Sequence, residues 1–527
     1  MMTPVNSILL RLPKRAESAV REVLTRTFVD VGPLSALLAS NDHQIIYGRR
    51  GTGKTHALVY LAGCQDSTGD VTAYVDLRNI GSAGGLYADG SRPISERATS
   101  LLVDTLAAIH ECLLHFFVTH PEDPDLSLTG PALDALAFAI TEVQVVGTIE
   151  TEDKAQAAQS EHSKYGAQLS SPLTGQFSFG FEDHNEQRYE ARVKRAGSEK
   201  LHINFGSVGT AFRSIASIIQ PRRLWILLDE WSSLPLDLQP YLADLLRRSI
   251  LPVTGITVKF AAIEHRSRFQ LQPEVGGYIG IEVGADMAAD VNLDDFMVFD
   301  NDSERAKAFF QDLMFKHTLA VATDAGNKDD ITEDPAELIR YAFTQVRAFE
   351  EFVRASEGVP RDAINLLSNA AQRAIDGRIS VEDVRVAARN WYQRDKEKAV
   401  SANPAASQLL HYIIDTVIGE RRARAFLLKS GETHPLIDIL YDARVLHVLK
   451  RNISTHDQPG VRYDVYKLDY GCYVDMMATQ RAPLGLLPAD GEAEESAYVD
   501  VPPDDYRSIR RAILYLDEFE QKIGAEE

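Results

Sequence analysis

Cysteine is nearly absent: Cys64, Cys112 and Cys472 are the only three in 527 residues. They stand far apart and fit neither a disulfide framework nor a metal-ligand spacing, so free, buried thiols are expected. No run approaches the ~18 consecutive apolar residues of a membrane span. The N-terminus lacks an apolar segment followed by a small-residue cleavage site, which leads to the expectation of a cytoplasmic protein. Positive charge is also scarce, with 55 Lys and Arg against 76 Asp and Glu and a net charge of −21. That balance argues against nucleic acid wrapped over the whole surface and confines any such contact to a local basic site. At roughly 150 residues per domain, the length suits three or four domains.

The stretch Gln44 to Ala57 reads QIIYGRRGTGKTHA. Its spacing fits G-x-x-x-x-G-K-[ST] without a mismatch, between an apolar strand and an apolar helix. Glycines at 48, 51 and 53 allow backbone N–H groups to turn inward around phosphates. Gly48, Arg49, Arg50, Gly51, Thr52, Gly53, Lys54, Thr55 and His56 are therefore candidates to bind ATP. Lys54 would supply charge to the phosphates and Thr55 a hydroxyl to Mg²⁺. A second stretch, Leu224 to Glu230, reads LWILLDE, an apolar run suited to a strand buried on both faces and ending in two acids. Asp229 is the candidate Mg²⁺ ligand with Thr55. Glu230 is the candidate for polarising an attacking water.

Strands alternate with helices along the first 300 residues, which predicts βαβ units and a parallel sheet. Val29 and Val31 could border the base or simply pack in the core. Between Glu150 and Lys200 the chain is polar, with two alternating segments at 176–181 and 188–194 that could form a hairpin on a solvated insertion. No Lys or Arg occurs from Phe269 to Glu304, where nine acids do. That stretch reads as a solvated acidic loop ending in a strand at Phe296 to Phe299. Helices dominate from Ser303 to Lys398, and within them Gly358-Val-Pro-Arg361 breaks the chain and starts a new helix. Residues 403–482 combine helices with an alternating aromatic ribbon. Lys450, Arg451, Arg462 and Lys467 gather on that ribbon and are the candidate DNA contacts. The tail beyond Ala482 is acidic, with a helix expected over Asp504 to Lys522.

GRRGTGKT at 48–55, LWILLDE at 224–230, EGVPRDAINLL at 357–367 and the pattern after 403 together resemble the ORC-type initiator branch of AAA+ ATPases. The resemblance spans roughly residues 25 to 480. It implies an α/β P-loop core at 41–300 with a polar insertion at about 141–205, preceded by a lead-in at 1–40. A helical lid at 301–400, a C-terminal winged helix at 401–482 and an acidic linker with a terminal helix at 483–527 would follow. Arg361 would be the sensor-2 arginine that reaches the γ-phosphate, acting with Lys54 and Glu230. Glu264 and His265 stand where sensor 1 is expected, instead of the usual Asn. Arg247, Arg248, Arg266 and Arg268 are the nearest substitutes for an arginine finger. Implied cofactors and partners are ATP, Mg²⁺, duplex DNA and a partner protein, with a homo-oligomer left open. Settings for such relatives include replication initiation, mobile elements and phage defence. The STAND class of signalling ATPases is the rival. It implies an ATP-stabilised scaffold with slow hydrolysis and no DNA contact, but Asp229-Glu230 and Arg361 favour the initiator branch.

Overall fold

The computed structural model describes residues 3–526, apart from 17–18, 81–86, 88, 121–125, 142, 147–197, 202, 273–276, 295–301, 327–330, 421–422, 424, 433, 455–459 and 479–511. The chain is an α/β protein built on a five-stranded sheet. We number its strands β1 (Gln44–Tyr47), β2 (Val71–Asp76), β3 (Leu224–Asp229), β4 (Ile256–Ala262) and β5 (Ala288–Asn292). Their order across the sheet is 2-3-4-1-5, and every neighbouring pair is parallel. All residues of β3 and β4 are buried, as a strand covered on both faces requires. Alternate side chains divide between two cores. Val71, Ala73, Ile226, Leu228, Val258 and Phe260 face one side with α2 (Ile94–Thr119), α3 (Phe205–Ile218) and α4 (Gln239–Ser249). Ile46, Trp225, Leu227 and Ala261 face the other, beneath α1 (Lys54–Thr68). Lys259 is fully buried in the middle of β4 because its ammonium donates to Gln44 Oε1 at 3.0 Å beside the Trp225 ring.

Helix α2 is long and apolar enough to cross a membrane by length and composition. Its Leu101, Leu106, Ile109 and Leu113 are nevertheless buried in the α/β core. The polar insertion is bracketed by an antiparallel ladder between Val143–Val146 and Ser198–Leu201. The hairpin expected at 176–194 lies outside the described residues.

The acidic stretch 269–304 contains a strand that the sequence reading did not include. Its parallel strand is β5 at 288–292, on the outer edge of β1, while the segment 296–299 falls outside the described residues. Not all of the loop is solvated either, since Asp294 is 9% exposed. Cys472 is buried as expected, whereas Cys64 and Cys112 are only half-buried.

A third core joins the N-terminal Leu9, Leu12, Val29 and Val31 to α5 (Ser303–Asp324), α6 (Pro360–Ala374) and α7 (Val381–Trp391). A fourth gathers described residues between Tyr392 and Phe519. Within it β6 (Ala425–Lys429), β7 (Leu446–Ser454) and β8 (Arg462–Leu468) form an antiparallel sheet in the order 6-8-7. A helix-turn-helix requires two helices joined by a short turn. Between β6 and β7 the described residues contain one, α8 (Pro435–Asp442), so the winged-helix expectation finds its ribbon without a second helix there. The tail returns to this unit: Ile513 bridges to Leu427, and Phe519 on the helix Leu516–Glu526 joins its core.

Candidate active site

At the carboxyl end of β1 the chain turns through two left-handed glycines, Gly51 (φ 89°) and Gly53 (φ 98°), into the first turn of α1. Gly51 is also where the lid comes closest. Arg361 N donates to Gly51 O at 3.1 Å, and a Cβ on Gly51 would lie 2.8 Å from Arg361 Cβ. Any side chain there would push α6 off the loop.

Lys54 is 8% exposed, and its ammonium donates to Gly48 O and Arg49 O at 2.8 and 2.9 Å. Burial pulls its pKa below the ordinary lysine value, although Glu230 and Asp229 act in the opposite direction. A buried ammonium held by two carbonyls is a site that favours an arriving anion. Asp229, fully buried, accepts from Tyr74 OH at 2.7 Å and from the Glu230 amide at 2.8 Å, and the Thr55 hydroxyl is also bonded to it. Burial raises its pKa in spite of these donors. A carboxylate and a hydroxyl already in contact make an oxygen set suited to a hard divalent cation.

Glu230 adopts a left-handed backbone (φ 56°), a conformation costing a non-glycine residue on the order of 1–2 kcal/mol. Past this turn, Glu230 lines the cavity while Asp229 stays buried at the end of β3. Ser233 Oγ donates to its Oε2 at 3.2 Å, and Arg78 Nη1 stands 4.0 Å from its Oε1. Arg78, tethered to Asp76 at 2.7 Å, belongs to no sequence motif.

Arg50 through His56, Arg78, Glu230 and Arg361 border one cavity of about 350 Å³. Val29, Val31, Phe309, Leu313, His317 and Ile364 form part of its wall. Val29 and Val31 therefore belong both to the lid core and to this wall.

Three groups of candidates are placed elsewhere. Arg49, proposed as a nucleotide ligand, points its guanidinium away from the cavity. It meets Asp294 Oδ1 at 2.7 Å, Leu446 O at 3.1 Å and His447 Nδ1 at 2.9 Å, and lies 4.8 Å from the centre of the Tyr441 ring. Its backbone N–H is engaged as well, donating to Asp294 Oδ2 at 2.8 Å. Glu264 and His265 face the C-terminal unit, pairing with Arg451 at 2.9 Å and Asp438 at 3.3 Å. Among the arginines considered as fingers, Arg247 and Arg248 bind Asp244, and Arg266 binds Asp442.

The four ribbon cations divide. Lys450 and Arg462 are exposed. Arg451 turns inward to Glu264, and buried Lys467 pairs with Glu357 at 2.7 Å. Helix α8 is also turned toward the α/β core through Asp438, Tyr441 and Asp442.

The C-terminal unit is thereby wired to both nucleotide-facing segments. Arg49 enters it from the phosphate loop. Glu357 and Asp362, flanking Gly358 to Arg361, enter it from the lid: Glu357 meets Lys467, and Asp362 meets Lys396 at 2.8 Å and Arg444 at 3.3 Å. Burial would raise the Asp362 pKa, but those two cations outweigh it and hold the carboxyl well below the usual range. Breaking such a pair on one side leaves a buried charge uncompensated, at about 3–5 kcal/mol. Arg49→Ala is accordingly expected to lower the thermal midpoint sharply by stranding Asp294, and Asp294→Asn in the same chain is expected to restore part of the loss. A four-member thermal denaturation cycle checks this, and additive losses would contradict it.

His447 accepts from Arg49 through Nδ1, so its Nε2 carries the proton toward Asp469 and the ring is neutral. Burial first, then the Arg49 charge, pushes its pKa down to about 3; burial does the same to His317. An unfolded histidine titrates near about 6.5. Between those values the unfolded chain binds protons that the folded chain refuses, so stability is present above about 6.5 and lost on acidification. Each histidine contributes up to about 1.4 kcal/mol per pH unit across that window. The thermal midpoint is expected to fall measurably between pH 7 and pH 5; a flat profile would contradict the burial of both rings.

Fold and site together define an α/β protein whose parallel sheet carries, at one end, a glycine-rich strand-to-helix loop facing an acid-tipped strand. No family model matches the sequence, and no curated protein matches it. Among solved structures the chain is similar to the ORC1 protein of Aeropyrum pernix, determined in complex with DNA. The two share 14% identity over 90% of this chain and 96% of that one, with a TM-score of 0.30.

Proposed function

We propose that this chain is an ORC-like AAA+ ATPase, a switch that binds and hydrolyses Mg–ATP and passes the state of its lid to the C-terminal unit. The observation that carries the reading is convergence. Lys54 and Thr55, Glu230, and Arg361 come from three distant parts of the sequence and border one cavity at the carboxyl ends of the strands, where ligands of open α/β sheets bind. Lys54 would leave its two carbonyl partners for the phosphates, and Arg361 would approach the terminal phosphate from the lid. Thr55 and Asp229 would hold Mg²⁺, which when bound neutralises charge developing on the phosphoryl oxygens. Glu230 would orient and deprotonate the water, with Arg78 restraining its carboxylate. The first test is phosphate release from Mg–ATP by the purified chain. A protein that neither binds nor cleaves ATP would overturn the proposal.

Contact with duplex DNA and recruitment of a partner protein belong to the same proposal. Because the molecule is acidic, DNA binding would rest on the exposed cations Lys450 and Arg462. We expect it to be weak and steeply salt-dependent, each phosphate contact contributing a log–log slope of about −0.9. Replacing both residues by Ala is expected to weaken all duplexes alike and flatten the slope by roughly two units. Unchanged affinity and slope in the double variant would remove the ribbon as the contact.

One observation favours a second reading, the STAND-like scaffold without DNA contact: α8, Arg451 and Lys467 are engaged with the nucleotide core and lid rather than presented outward. ATP turnover with and without duplex separates the two. Stimulation supports the initiator-like switch, and slow, DNA-indifferent turnover supports the scaffold.

A further inference from the structure

We propose that α2 and the helix Leu126–Ile140 form a docking face for a basic amphipathic helix of a partner protein. The inference rests on the partner recruitment in the reading above, not on its ATP chemistry, and supplies the surface that recruitment would use. The helix Leu126–Ile140 reads LSLTGPALDALAFAI and has one charged residue, Asp134. Ala132, Leu133, Leu136, Ala139 and Ile140 occupy one side, buried in the α/β core. Leu128, Pro131, Ala135 and Phe138 are exposed, and their spacing gathers them into a second stripe facing solvent. A surface helix normally keeps charged and polar residues on that side.

Helix α2 repeats the pattern. It packs against Leu126–Ile140 and sinks Leu106, Ile109, Leu113 and Phe117 into the same core. Ala107, Glu111, Leu114 and Val118, at i, i+4, i+7 and i+11, are exposed along its other side. Val118 is 64% exposed and Phe138 63%. Single exposed apolar side chains are ordinary, but stripes of them on two contacting helices mark an interaction site.

Charge selects the occupant. From Ala98 to Asp153 the sequence has no Lys or Arg, while ten acids occur. Of these, Glu111 and Asp134 are exposed on or beside the two stripes, and among the described residues no cation pairs with either. Helices that lie on membranes carry Lys and Arg for the anionic headgroups, so a lipid surface does not suit this face. Nucleic acid is disfavoured for the same reason. In a two-fold interface a patch meets itself, so a second copy of the chain would bring these acids against their own kind. A partner with Lys or Arg flanking an apolar face meets neither penalty. It docks as a helix because the two helices offer side chains and no open strand edge, and the stripe from Leu128 to Phe138 spans about 15 Å, roughly three helical turns.

The experiment uses the full-length chain and a synthetic helical peptide with leucines and a photoreactive group along one face and lysines along the other; the control peptide has glutamates in place of the lysines. The lysine peptide is expected to bind the parent about tenfold or more tightly than the glutamate peptide, by a margin that narrows with added salt. Its crosslinks are expected within residues 107–118 and 128–138. Val118→Ser combined with Phe138→Ser is expected to weaken the lysine peptide by about tenfold or more, and Glu111→Gln with Asp134→Asn to remove most of the preference for lysine over glutamate. Equal affinity for the two peptides, crosslinks elsewhere, or parental affinity in the double serine variant overturns the proposal. So does self-association, or binding to anionic vesicles, that Phe138→Ser abolishes, since a second copy or a lipid surface would then occupy the face. The parental comparisons stand even if a variant misfolds. A chain that releases phosphate from ATP but ignores both peptides loses this face alone; one that binds the lysine peptide through these helices without touching ATP keeps the face and loses the nucleotide reading.

Discussion

Lys54→Ala is expected to fold and to lose nearly all measurable ATP affinity. In the structure the ammonium is buried and satisfied only by two carbonyls of its own loop, and burial depresses its pKa. It is therefore held in place at a cost. Removing it relieves the desolvation and leaves only a small gap, so the thermal midpoint without nucleotide should stay near or above that of the parent. The phosphates lose a buried ammonium that Arg49, committed to Asp294 and His447, does not replace. Charge-assisted hydrogen bonds contribute about 1.5–3 kcal/mol each, so losing two corresponds to roughly 10²-fold or more in affinity. Calorimetric titration checks this. A folded variant that binds ATP normally would show that the loop is not a phosphate site.

What was legible in the sequence was what neighbouring residues encode. A two-faced strand appears as an unbroken apolar run, so β3 can be read from Leu224 to Asp229 without knowing its neighbours. The loop can be read because its left-handed turns demand glycine at fixed spacing, and the start of α6 because Gly358 and Pro360 punctuate it. Edge strand β5 had no comparable signal. Its sequence AADVN carries little apolar character. Asp294 was hidden for a different reason. In a stretch of nine acids without a cation it looks solvated, and its partner Arg49 lies 245 positions away. The same blindness affects the ribbon, where Lys467 and Arg451 resemble a basic patch until Glu357 and Glu264 come into view. Arg78 belongs to no motif at all; a fold is needed to bring it to Glu230.

Glu230→Gln is expected to separate binding from cleavage. Substitution by the amide keeps the shape and the hydrogen bond from Ser233, so the strained left-handed turn and the neighbouring Asp229 contacts should persist. Lys54, Thr55 and Arg361 are untouched, and Mg–ATP affinity is expected to stay within a few-fold of the parent. Loss of the group that accepts the proton of the attacking water should slow hydrolysis by about 10²- to 10⁴-fold. Glu264 is poorly placed to compensate. It lies beyond the end of β4, does not border the cavity, and is paired with Arg451. The variant should therefore accumulate protein with ATP bound under turnover conditions, seen as retained labelled nucleotide after rapid desalting. In that state the wiring through Arg49, Glu357 and Asp362 gives a second readout. If the lid follows the nucleotide, protease sensitivity of the C-terminal unit in Glu230→Gln with Mg–ATP should differ from that with Mg–ADP, a contrast the parent would lose as it turns over. Hydrolysis at the parental rate would place the base elsewhere and remove Glu230 from the chemistry.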